Sequence, residues 1–227
     1  MLHTVLISTM LLWTTVVCAY DLPYVPSPNG FLESSALVPV LKEQVLLGHP
    51  VGTRLIGVYL LPDEVSAIMH GAEMRMSIFC RAYVIHESAT VDDAKAYFRA
   101  LVTSAKNENS KPFSLDDPDN KRIVQGYIDA TKQKQGQSVG FTGVTILGSI
   151  IDTDEAYGTS MVVAGKAQTD QGEIAIPMTA AVAWVRRGNQ ILEMSDLAQF
   201  TGQASIALAD RVVTNWVKAL DHLGPSP

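Results

Sequence analysis

From Val144 to Phe200 the chain is a succession of strand-like segments joined by very short links. Val144–Ile151, Gly158–Gln168 and Glu173–Arg186 are rich in Val, Ile, Thr and Ala, and "QILEMSDLAQF" follows at 190–200. The links are "TDQG" and "RRGN", glycine-bearing turns of hairpin length, and the acidic "DTDE" at 152–155 is a solvated hairpin tip. A parallel return needs a crossover of a dozen or more residues, so strands joined this closely pair antiparallel. An apolar sheet of four or more such strands must bury its faces, which requires helices from elsewhere in the chain.

The rest of the sequence supplies them. The stripe Leu37, Val40, Leu41 and Val45 predicts a helix that begins near Pro39 and stops at Gly48. "RLIGVYLL" from Arg54 is a strand. "PDEVSAIMHG" is a short helix with Asp63 as N-cap and Gly71 as stop. "MRMSIFCRAYVI" alternates, with Met74, Met76, Ile78, Cys80, Ala82 and Val84 on one face and Phe79, Arg81 and Tyr83 on the other. Thr90 and Asp93 open a helix in capping-box spacing, and its inward stripe is Ala94, Tyr97, Phe98, Leu101, Val102 and Ala105. A further helix follows Asp117-Pro118. The last runs from about Gly202 with Ile206, Ala209, Val212, Val213, Trp216, Val217 and Leu220 facing inward.

The predicted class is α+β, an antiparallel sheet flanked by helices as an α/β/α sandwich. This element order, from Arg54 to Leu223, resembles the PsbP-like sandwich. The resemblance implies helical layers on both sides of the sheet and a role as an accessory subunit or binding module. It rests on element order, so it assigns no functional residue.

Residues 1–19, "MLHTVLISTMLLWTTVVCA", carry an apolar run of about thirteen residues ending in Val17-Cys18-Ala19. They are expected to be a signal peptide, too short to span a bilayer, and a retained anchor is the alternative. Residues 20–35, with Pro23, Pro26 and Pro28, form a Pro-rich linker or strap. Residues 36–227 form a single α+β domain. The expected location is secreted or periplasmic, with no membrane span after cleavage. After cleavage Cys80 stands alone, so no internal disulfide can form. A net charge of −6 with scattered basic residues gives no footprint for nucleic acid.

Catalytic patterns are missing: neither G-x-S-x-G, H-E-x-x-H, C-x-x-C nor a P-loop occurs. The catalytic set is therefore unknown and no cofactor is expected. "MHGAEMRMSIFC" at 69–80 gathers soft ligands. Met69, His70, Met74 and Met76 could hold copper(I), but an apolar strand face accounts for the methionines and a helix end for His70, and no metal is expected. Arg81, in mid-strand, is expected to pair with Glu193 across strands or else to bind an anion. The reading is a non-catalytic binding or accessory domain for an unknown protein or small ligand. The alternatives are a hydrolase whose catalytic set is not visible in sequence, and a soft-metal binding protein.

Overall fold

The computed structural model describes residues 23–38, 53–72, 78–109, 139–169 and 172–221. Within them lie strands β1 (Leu32–Glu33), β2 (Arg54–Leu60), β3 (Ile78–Glu87), β4 (Val139–Asp152), β5 (Ala156–Thr169), β6 (Gly172–Arg187) and β7 (Gln190–Gln199). Helices α1 (Pro62–Met69), α2 (Val91–Asn109) and α3 (Gln203–Asp221) complete the described elements. The helices expected over 37–48 and after Pro118, and the Met74–Met76 start of the β3 alternation, lie outside the described residues.

All seven strands form one sheet in the order β1-β2-β3-β7-β6-β5-β4, antiparallel throughout. The run from β4 to β7 is the hairpin series its short links predict. Gly188, at φ +57°, takes the left-handed conformation that lets two residues reverse the chain between Arg187 and Gln190. The pairing of β7 with β3 has no such local cause; it brings together residues more than a hundred positions apart.

Each face has its own cover. On one, Cys80, Ala82 and Val84 of β3, Ala181, Ala183 and Val185 of β6, and Leu192 and Met194 of β7 pack under Ala209, Val213, Trp216, Val217 and Leu220 of α3. The small alanines of β6 let the helix settle close. On the other face, Val65 and Ile68 of α1 pack with Val58, Leu60, Phe79 and Leu197. Ala94, Phe98 and Ala105 of α2 pack with Tyr157 and Ile191, and with Trp184 at their margin. Tyr97, predicted to face inward on α2, is exposed and lies flat on His86 at 3.6 Å between ring centroids.

Local chemistry sets the helix ends. Asp93 N–H donates to the Thr90 hydroxyl at 3.1 Å, and that hydroxyl donates to the Asp93 carboxylate at 2.8 Å, which fixes the start of α2. The N-cap of α1 is Leu61, not Asp63; Pro62 at the first helical position starts it without a side-chain cap. His70 and Gly71, the latter at φ +85°, end α1 as expected. No described helix is long and apolar enough to cross a membrane.

The strap does more than connect. Val25 and Phe31 are buried in the α3 core, and Leu32–Glu33 adds strand β1 to β2. The Trp216 indole N–H donates to the Pro26 carbonyl, and the Trp216 ring meets Tyr59 edge-on at 5.0 Å. Trp216 thus joins helix, sheet and strap while only 1% exposed. Trp216→Ala is expected to cost about 3–5 kcal/mol in denaturant unfolding, as for other large-to-small core changes. A loss under about 1 kcal/mol, the scale of surface changes, would contradict this packing.

Candidate functional site

The β3–β7 junction carries polar side chains on both faces of the sheet. The register sets Cys80 opposite Asp196 and Arg81 opposite Ser195. Adjacent residues of a strand point to opposite faces. The Cys80–Asp196 pair therefore lies under α3, and the Arg81–Ser195 pair lies on the face of α1 and α2.

Beneath α3, the Cys80 thiol donates to Asp196 Oδ1 at 3.2 Å, and both residues are 0% exposed. Asp196 Oδ2 has no hydrogen-bond partner among the described residues. Burial pushes the Asp196 carboxyl up to about 6, opposed in part by the Cys80 hydrogen bond. Burial and the neighbouring carboxylate push the thiol far above its ordinary range, so Cys80 stays protonated. A thiolate is the nucleophilic form, and this one does not form. Two more buried hydroxyls on this face, Ser160 Oγ and Thr179 Oγ1, have no hydrogen-bond partner among the described residues. The register places them beside Ala181, the residue opposite both Asp196 and Ser160.

On the opposite face one cross-strand row runs Val58–Arg81–Ser195–Val182–Thr159. At its β2–β3 end the row lies within the cluster under α1, to which Val58 belongs and whose Phe79 and Tyr83 flank Arg81; from Ser195 to Thr159 it passes between that cluster and the one under α2. Arg81 and Val182 remain half-buried, although they sit in mid-sheet. Arg81 Nε donates to the Ser195 hydroxyl at 3.1 Å, and the guanidinium carbon lies 5.4 Å from the centre of the Tyr83 ring. The expected Arg81–Glu193 ion pair is not formed. The register puts Tyr83, not Arg81, opposite Glu193, and the Glu193 carboxylate accepts the Trp184 indole N–H at 3.2 Å. Among the described residues the two Arg81 Nη groups have no protein partner.

An open cleft of about 480 Å³ lies between α2 and edge strand β4, lined by Lys106, Ile146, Leu147, Gly148, Ser149, Asp152 and Tyr157. Its one cation, Lys106, donates to both Asp152 oxygens at 2.8 Å, so the charges in it are mutually satisfied. The neighbouring Glu155 pairs with Arg186 at 2.7 Å. The acids of "DTDE" at 152 and 155 are thus tied to basic side chains at a hairpin tip.

Of the four residues gathered as a soft-metal alternative, the structure describes two. Met69 is exposed, and His70 Nδ1 lies 2.7 Å from the Ser66 carbonyl, a bond that places the proton on Nδ1 and closes the end of α1. Met74 and Met76 lie outside the described residues. Sequence reasoning missed Asp196. Its only signal was an acid at an inward position of "QILEMSDLAQF", a segment otherwise apolar on that face.

No family model matches the chain, and no curated protein matches it. Among solved structures, the extracellular domain of PknH from Mycobacterium tuberculosis aligns with 87% of this chain and 80% of that chain, at 14% identity and a TM-score of 0.28. A superposition at that score transfers neither fold nor function.

The carboxyl of Asp196 yields a pH prediction. Below its ordinary value of 3.8 it is protonated folded and unfolded alike, with no ionic penalty. As pH rises from there to about 6 the unfolded chain releases the proton first, so its contribution to stability falls. Above that the loss is complete, roughly 3 kcal/mol for a gap of this size. Asp196→Asn removes this slope. The variant's stability relative to wild type should rise by about 2–3 kcal/mol between pH 4 and pH 7 in urea unfolding. A pH-independent difference would show that Asp196 titrates normally.

Proposed function

We propose that this protein is an exported, non-catalytic binding or accessory domain that holds a small ligand or a segment of a partner on the sheet strip between α1 and α2. The observation that carries this reading is the Arg81 row. Mid-sheet positions on a covered face are normally closed by apolar packing, yet here a guanidinium set between Phe79 and Tyr83 of the α1 cluster, and Val182 beyond it, keep solvent contact. The protonated, buried Cys80 fits a role without covalent chemistry. The PsbP-like element order, whose members serve as accessory subunits and binding modules, supports the same reading, and the apolar segment at 1–19 supports export.

Two measurements test it. Intact mass of the protein recovered from the producing cell should give Tyr20 as first residue; retention of Met1–Ala19 in a membrane fraction would make it an anchored protein. In an amide-resolved NMR screen of small organic compounds, perturbed resonances should centre on Arg81, Val182, Glu193 and Ser195. Perturbations centred on Lys106, Leu147 and Ser149 instead would move the binding surface to the α2–β4 cleft.

A further inference from the structure

Taking the strip between α1 and α2 as the binding surface, we propose that Arg81 receives the carboxylate of an organic ligand whose apolar body lies along the neighbouring row. The guanidinium is held in one plane by two contacts: Nε to Ser195 Oγ at 3.1 Å, and the Tyr83 ring 5.4 Å from Cζ. Ser195 is itself 0% exposed, so its hydroxyl is a fixed anchor. This arrangement commits Nε to the protein and leaves the paired Nη edge for a ligand. An arginine stays charged at every relevant pH, and a half-buried charge with no direct ion-pair partner among the described residues is costly. A planar carboxylate meets the Nη edge with two parallel charge-assisted hydrogen bonds and supplies that counter-charge.

The surroundings select among anions. Glu193 lies on the same face, diagonal to Arg81 in the register, and is held by Trp184. Diagonal neighbours stand roughly 7–8 Å apart. A second negative charge at that range opposes a phosphate dianion more than a carboxylate monoanion. Val182 in the Arg81 row and Leu197 in the next row keep partial solvent contact and offer an apolar edge for a hydrocarbon chain, over the buried Val58 and Ala180.

The test uses the full protein with ¹⁵N-labelled arginine and backbone, titrated with hexanoate and, separately, with inorganic phosphate. Hexanoate should saturably shift the Arg81 side-chain resonances and the Ser195 and Val182 amides, and should bind more tightly than phosphate. Arg81→Gln should weaken it about tenfold or more, the scale of a lost charged hydrogen-bond pair. Arg81→Lys should fall between, and Glu193→Gln should narrow the gap to phosphate. Amide spectra establish that each variant folds, and the wild-type Arg81 resonances serve as a readout that needs no variant. Unchanged hexanoate affinity in Arg81→Gln, or tighter binding of phosphate by wild type, overturns the carboxylate assignment. Compounds that shift Val182 and Ser195 without moving Arg81 overturn it too, while leaving the strip as the binding surface. No saturable shift on the strip by any compound overturns both.

Discussion

The pairing of β3 with β7 is the joint on which this fold depends. Strands β4 to β7 reach one another through short links, and β2 lies close to β3 in the chain, so both groups assemble from near neighbours. Only the β3–β7 ladder fuses them, and it joins residues 114 and 116 positions apart at its polar pairs. Closing so long a loop has an entropic cost that grows slowly with length, by about 0.6 kcal/mol per doubling. The return must come from surface buried on both faces at once. α3 supplies it on one side by lying across β5, β6 and β7 while its Trp216 reaches the strap. Arg187 adds a tie by donating to the Leu220 carbonyl at the C-terminal end of α3, where a cation also meets the helix dipole favourably.

Much of this was legible in the sequence. Alternation and turn chemistry located the strands, and the capping pair Thr90–Asp93 and the stripe of α3 placed two helices. Those signals are local: period two, period 3.6, and glycine where φ must be positive. Partner choice across the sheet is not local. Nothing in "SIFCRAYVI" names "LEMSDLAQ" as its partner, because pairing depends on which apolar faces can share one cover. Arg81 shows the consequence. Alternation assigned its face correctly, but its partner depends on register, and the register offered Ser195 in place of Glu193. Tyr97 failed for a related reason: helical periodicity marks a stripe but not its width, and this residue falls at the edge, where it stacks on His86.

The two hydrophobic clusters under α1 and α2 explain why a site can exist on the second face. One 8-residue helix and one 19-residue helix cover different ends of the same strands. The Arg81 row runs from the first cluster, whose Phe79 and Tyr83 flank Arg81, into the gap between the two on β7 and β6, and Arg81 and Val182 stay half-buried there. A guanidinium fits that place. Its stem packs on apolar neighbours while its charged end keeps access to solvent, and the Tyr83 ring beneath it supplies a favourable face.

The polar pairs at the joint also decide its register. A slip of β3 against β7 by one residue would turn every side chain of one strand to the other face. Arg81 would then enter the α3 core, opposite either Asp196 or Met194; burying its guanidinium there carries a desolvation cost that even pairing with Asp196 need not repay, while Cys80 would leave Asp196 without its only protein hydrogen bond among the described residues. An all-apolar junction would tolerate such a slip far better, since Val, Ile and Ala fit either cover. The raised carboxyl of Asp196 works against stability at neutral pH, so the aligned register is favoured chiefly by keeping Arg81 near water. Buried polar groups act as registry devices in other systems where a single polar position fixes alignment. Here that position is Arg81, a cation that the aligned register keeps on the face where it stays near water.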